Sequence, residues 1–105
     1  MSRPNETTKT PGFRPPPGTC DTHCHLYGPP AIYPYLPSYA TPDFEAPVDL
    51  LARVHAKIGV ERAVLVHTYA HGTDNRVITD AIAGAGGCYR GIALADFSIT
   101  DEQAE

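Results

Sequence analysis

Tryptophan is absent from this 105-residue sequence, and cysteine is scarce, with three residues. An odd and small number of cysteines argues against a disulfide framework, so we expect free thiols and a cytoplasmic location. No run of about 18 apolar residues occurs, which excludes a transmembrane helix. Lysine and arginine are few and unclustered, eight against twelve acidic residues. The charge pattern therefore argues against nucleic acid or a membrane surface as a partner.

Proline is confined to the first half of the chain, because all eleven prolines lie before residue 48. Residues 1–18 are polar and proline-rich, a composition that predicts a disordered leader. Residues 26–47 are rich in proline and tyrosine, which predicts a long loop rather than a helix or an interior strand. The predicted domain spans residues 19–105 and contains this loop.

The remaining segments alternate between strand and helix periodicity. The predicted elements are a strand over residues 19–25, a helix over 47–58, a strand over 62–67, a helix over 75–85, a strand over 89–95 and a short helix opened by a capping box at Thr100–Gln103. Strands and helices that alternate in this way form a parallel sheet with right-handed crossovers. The predicted fold class is therefore α/β.

Two histidines, His23 and His25, are the sharpest chemical feature of the sequence. Regular strand alternation places them on one face together with Asp21, and places Cys24 on the opposite face. Neutral imidazoles this close can share one zinc-like divalent ion. They also lie where the first strand ends, at the sheet edge that binds ligands in parallel α/β folds. The alternative is a pair of buried core histidines.

Three segments carry a resemblance to a known family: Asp21–Pro29 (DTHCHLYGP), His71–Arg76 (HGTDNR) and Tyr89–Ala93 (YRGIA). Together they are similar to the amidohydrolase superfamily, in its 2-pyrone-4,6-dicarboxylate lactonase-like branch. The resemblance implies a TIM-like (β/α)8 barrel, which typically needs about 250 residues. Residues 19–105 then form an incomplete barrel domain of about three βα units.

The resemblance also implies an activity. It makes His23 and His25 catalytic, or ligands of one divalent metal ion, in a hydrolase that opens a lactone or related carbonyl of a small carboxylic acid. Decarboxylation of an aromatic or muconate-type acid is the sister reaction. We expect the 105 residues to be inactive alone, and to self-associate because an incomplete barrel exposes its inner face and a strand edge.

Non-catalytic interpretations stay open beside this one. The spacing of Pro34 and Pro37 is that of a proline-rich binding motif, so the chain could be a small interaction module. A degenerate remnant without activity is the third interpretation.

Further site residues follow from the resemblance. It implies that Tyr39, Thr68 and Tyr69 contact the substrate, although a loop tyrosine at position 39 could equally pack on a neighbouring proline. His55 is expected to be structural within the first helix, and His67 to be a hydrogen-bonded core histidine.

Overall fold

The structure, a computed structural model, describes residues 2–105. The regular elements are β1 (Cys20–Cys24), α1 (Val48–Ile58), β2 (Arg62–Val66), α2 (Arg76–Ala83), β3 (Tyr89–Ile92) and α3 (Asp101–Ala104), with a 3₁₀ turn at Tyr69–His71. Their order is the predicted alternation of strands and helices. Within the described residues, every helix is too short or too polar to cross a bilayer.

The three strands form one parallel sheet in the order β1-β2-β3. Cys20 of β1 pairs with Arg62 of β2, and β2 continues in regular register with β3 from Ala63 opposite Tyr89. One helix lies in each crossover, α1 between the first two strands and α2 between the last two. The predicted α/β class with a parallel sheet is confirmed.

The core lies between the sheet and α2. Leu65, in the middle of β2, is fully enclosed, and Leu26, just after β1, is almost so. The other buried members of this cluster are Ala63, Val77, Ile78, Ala81 and Tyr89. On β2 the buried residues alternate with Val64 and Val66, which lie on the other face of the strand and are half-buried. That self-association covers it in the free chain stays a prediction.

Several element ends differ from the predicted ones, for local reasons. β3 ends at Ile92 because Leu94 pairs with a side chain instead of a strand: its N–H donates to Asn75 Oδ1, and its carbonyl accepts from Asn75 Nδ2, both at 2.9 Å. β2 ends at Val66, although the next N–H, that of His67, still donates to the Ile92 carbonyl. The predicted capping box of α3 is confirmed.

The proline-rich segments contain no helix and no extended strand among the described residues. The long loop after β1 closes through a bridge between Tyr27 and Ala46. Leader residue Glu6 lies against α1, where Arg53 donates to its carboxylate at 2.8 Å. Because exposed ion pairs contribute only about 0–1 kcal/mol, disorder of the leader stays a prediction. Residue 1 lies outside the described residues.

Gly72, directly after the 3₁₀ turn, occupies a conformation that favours glycine, with φ 59° and ψ −134°. A Cβ there would lie 2.8 Å from Leu36 Cδ2. We expect Gly72→Ala to lower the free energy of unfolding by about 1–3 kcal/mol. The control is Gly12→Ala, whose Cβ would meet no atom within 4 Å. Urea unfolding measures both, and equal stability of the two variants would contradict the prediction.

Candidate active site

A bulge in β1 shapes the candidate site. Asp21 pairs with Ala63 and Cys24 pairs with Leu65, so β1 uses three steps where β2 uses two. The predicted regular alternation is therefore wrong. The extra residue brings the Asp21 carboxylate near the Cys24 thiol, although alternation places them on opposite faces.

His23 and His25 lie beside each other after this bulge. Their ring centroids are 5.1 Å apart and the rings meet edge to face, at 87°. Both residues are exposed, so they are not a buried core pair. His25 Nδ1 lies 2.9 Å from the carbonyl of Val66, the last residue of β2. Because a carbonyl oxygen only accepts, Nδ1 carries the proton and Nε2 of the neutral ring keeps its lone pair.

The Asp21 carboxylate makes two hydrogen bonds. Oδ1 accepts from the His23 backbone N–H at 3.1 Å, and Oδ2 lies 3.0 Å from Nε2 of His55 on α1. Burial raises the pKa of Asp21, but these two hydrogen bonds outweigh it and hold that pKa below its ordinary value. The carboxylate is thus ionised at neutral pH, and the His55 ring donates. The structural role expected for His55 includes this bond.

Cys24 lies at the edge of the same cluster. Donor atoms of Asp21, Cys24 and His55 lie within 4.8 Å of one another, a set that could hold a metal ion. Burial, and then the negative charge of Asp21, raise the pKa of the Cys24 thiol to about 11. A protonated thiol binds metal poorly, and Asp21 and His55 already bond each other. Cys24 and the two other cysteines are free thiols, as predicted.

The predicted substrate-binding residues lie in different surroundings. Tyr39, in the long loop, is 37% exposed, and Tyr69 is 70% exposed. Thr68 is buried, and its hydroxyl accepts from the Ala70 N–H at 3.0 Å, which caps the 3₁₀ turn. Thr68 and Tyr69 follow the carboxyl end of β2, and Tyr39 lies in the loop that follows the carboxyl end of β1, where the histidine pair lies. Their roles toward a substrate stay predictions.

His71 is a residue whose role the sequence did not reveal. Its buried ring joins the 3₁₀ turn to the long loop: Nδ1 donates to the Pro34 carbonyl at 3.1 Å, and Nε2 accepts from the Gly28 N–H at 3.3 Å. Tyr35 packs on it, with ring centroids 4.3 Å apart, and donates through its hydroxyl to the Gly28 carbonyl. Residues of the Pro34–Pro37 segment therefore make contacts within the chain, while both prolines are exposed, and binding of a partner there stays a prediction.

His67 contradicts the expectation of a hydrogen-bonded core histidine. It is buried, but within residues 2–105 neither ring nitrogen has a hydrogen-bond partner. Burial, together with the neighbouring His71, lowers the pKa of His67 from its ordinary 6.5 by more than the charge of Asp74 raises it. The native chain therefore binds a proton at His67 less readily than the unfolded chain does.

This depressed pKa predicts a pH dependence. The contribution of neutral His67 to the free energy of unfolding is complete above pH 6.5. It is lost as the pH falls toward the lower native pKa, by at most about 1.4 kcal/mol per pH unit. We expect His67→Leu to raise the free energy of unfolding by about 1 kcal/mol at pH 7, and by more at pH 5. Chemical denaturation at both values checks this.

The control for that prediction is His23→Asn, which removes an exposed histidine and should keep the acid dependence. An equal loss of stability on acidification in His67→Leu and in the unchanged chain would contradict the prediction.

Comparison with known proteins places the chain in a family. The model of the amidohydrolase family, described as "Amidohydrolase", matches residues 20–105. The 2-pyrone-4,6-dicarboxylate hydrolase of Comamonas testosteroni is 35% identical over 95 residues, which cover 90% of this chain and 31% of that protein. The 4-sulfomuconolactone hydrolase of Hydrogenophaga intermedia is 39% identical over 82 residues, covering 76% and 26% respectively.

A solved structure agrees in fold. The crystal structure of a probable 2-pyrone-4,6-dicarboxylic acid hydrolase from Acinetobacter baumannii, with citric acid bound, superposes with a TM-score of 0.74 at 26% identity. The match covers 83% of this chain and 32% of that one, so the chain spans about a third of the proteins it resembles. Its three strands and crossover helices are the N-terminal portion, about three βα units, of a TIM-like (β/α)8 barrel. The chain belongs to the amidohydrolase family, in its 2-pyrone-4,6-dicarboxylate lactonase-like branch.

Proposed function

We propose that this chain supplies the first-strand histidine pair of a hydrolase that opens the lactone ring of a small carboxylic acid, such as 2-pyrone-4,6-dicarboxylate. The observation that carries the proposal is the contact between the exposed rings of His23 and His25 at the carboxyl end of β1. The names of the relatives, which act on a pyrone dicarboxylate and a sulfomuconolactone, support the substrate class.

The chemistry uses the free nitrogen of His25. With Nδ1 donating to the Val66 carbonyl, Nε2 can accept a proton from the attacking water. The water oxygen bonds to the lactone carbonyl carbon, the ring C–O bond breaks, and the released ring oxygen takes a proton. The product is the open-chain acid, and one water is consumed. His23, beside this ring, would polarise the carbonyl oxygen.

The same pair fits a divalent metal ion of zinc type. Two adjacent imidazoles, one of them with its Nε2 lone pair free, are the donors that such an ion prefers. When bound, the ion would act as a Lewis acid on the carbonyl, and His25 would then be a ligand instead of the base, because the ion would occupy its Nε2 lone pair. His23 and His25 are the ligands that this chain would contribute.

Substrate contacts are proposed for three residues. Tyr39 and Tyr69 have solvent-accessible side chains, and a tyrosine hydroxyl can donate to a carboxylate. The Thr68 oxygen accepts from the Ala70 N–H, which leaves its own O–H free to donate. We infer that these donors bind the acid groups of the substrate.

The test is a barrel chimaera in which residues 19–105 replace the matching first third of the Comamonas testosteroni enzyme. We expect the folded chimaera to hydrolyse 2-pyrone-4,6-dicarboxylate, and the 105-residue chain alone to be inactive. Ring opening is followed by ultraviolet absorbance. A folded, monomeric chimaera that opens neither this lactone nor simpler ones would contradict the proposal. Release of carbon dioxide in place of ring opening would assign the sister decarboxylation.

A further inference from the structure

We propose that Asp21 and His55 are a positioning pair. His55 on α1 holds the Asp21 carboxylate, and the carboxylate fixes the backbone conformation at His23. The inference rests on the proposed function, because it concerns how the histidine pair is held for that reaction. Neither residue would touch the substrate.

The first step of the argument is the backbone at the bulge. Thr22 and His23 lie between the paired residues Asp21 and Cys24, so the ladder to β2 is irregular there. Asp21 Oδ1 accepts the His23 N–H, two residues on, at 3.1 Å. This local bond gives the amide of His23 an acceptor and restrains the backbone from which its ring projects.

The second step is the anchor on α1. His55 is 5% exposed, and its Nε2 lies 3.0 Å from Asp21 Oδ2, 34 residues away in the sequence. A buried imidazole needs a partner, and an ionised carboxylate supplies one on the oxygen that His23 does not use. One side chain therefore links the buried face of α1 to the bulge.

The third step is that the two rings of the site have separate anchors. His25 is held by the carbonyl of Val66 at the end of β2. His23 is held through its backbone by Asp21 and, behind it, by His55 on α1. The two rings, each held by its own anchor, contact each other edge to face. Loss of the Asp21–His55 bond should move His23 and leave the bond from His25 to Val66 in place.

The experiment is NMR spectroscopy of the 105-residue chain with ¹⁵N-labelled histidines. In the unchanged chain we expect the proton of His55 on Nε2, that of His25 on Nδ1, and a nuclear Overhauser effect between the rings of His23 and His25. A His55 ring with no proton on Nε2 would overturn the proposal without any variant being needed.

Four variants separate positioning from general destabilisation. Asp21→Ala and His55→Phe should lose the ring-to-ring Overhauser effect and keep the Nδ1 proton of His25. Asp21→Asn and His55→Gln, which keep an atom at each bonding position, should retain both signals. Asp96→Asn, in an exposed turn, is the control for a changed carboxylate. An unchanged ring contact in Asp21→Ala and His55→Phe would overturn the proposal, and so would loss of both signals in all four variants.

A competing use of the same carboxylate is metal binding with Cys24. Cobalt(II) added to the chain gives a thiolate charge-transfer band if Cys24 is a ligand. A band that disappears in Cys24→Ser would overturn the positioning role, and the absence of any band supports that role.

These measurements need no substrate. If the rings of His23 and His25 are in contact in the chain but the folded chimaera is inactive, the proposed function is refuted and the positioning pair is not.

Discussion

In the barrel chimaera, His25→Asn is expected to lower kcat/KM for 2-pyrone-4,6-dicarboxylate by about 10³-fold. The asparagine amide can still donate to the Val66 carbonyl in place of Nδ1, but no atom remains at the position of Nε2. His25→Gln has the opposite geometry, with an atom near Nε2 and no donor to Val66. It should lose about as much as His25→Asn, because the amide group near Nε2 is not a base and cannot take the proton of the attacking water.

This pair of variants tests whether the reaction needs a basic nitrogen at the position of Nε2. Initial rates of ring opening measure both, with circular dichroism to show that each chimaera is folded. His23→Asn is expected to lose activity as well, because it removes the ring that lies beside His25. If either His25 variant is as active as the unchanged chimaera, the assignment of Nε2 as the base is wrong.

His71→Ala is expected to lower the free energy of unfolding of the chain by about 2–4 kcal/mol. The substitution removes the acceptor of the buried Gly28 N–H and the donor to the Pro34 carbonyl, and it leaves a space beneath the Tyr35 ring. The long loop after β1 then keeps the bond from the Leu36 N–H to the Ala70 carbonyl but loses both bonds that join it to the His71 ring. Denaturant unfolding measures the loss.

The matched variant is His71→Gln, whose side-chain oxygen can accept from Gly28 in place of Nε2. It should cost less than half as much as His71→Ala, because the buried N–H keeps a partner. Hydrogen exchange at the Gly28 amide reports the bond directly: slow in the unchanged chain and in His71→Gln, fast in His71→Ala. Equal exchange rates in all three would show that the ring does not hold the loop.

Local patterns were sufficient for the architecture. The Thr100–Gln103 capping box opens α3, as its residue types predicted, and α1 ends at the predicted residue 58, followed by Gly59 with φ 80°. Alternating strands and helices required a parallel sheet, and the proline-rich stretch after β1 forms a loop. Each of these predictions depends on interactions within a few neighbouring residues, which a sequence displays directly.

The details of the site were not predictable in the same way. Regular alternation described β1 wrongly, because a bulge depends on how the partner strand pairs. His55 was expected to be structural, but its bond to Asp21 spans 34 residues, and the bond from Gly28 to His71 spans 43. Among residues 2–105 the ring of His67 has no hydrogen-bond partner, which depends on what packs around it and is contained in no local pattern.

The sequence by itself determined the order of elements, the α/β class and the presence of two histidines at the end of the first strand. Only the tertiary structure decided that their rings touch, which nitrogen of His25 is free, and that Asp21 turns toward α1. The physical reason is the separation along the chain over which each kind of interaction acts. Backbone propensity and periodicity act between near neighbours, whereas a hydrogen bond that orients an imidazole needs an acceptor from another element, and its position exists only once the chain has folded.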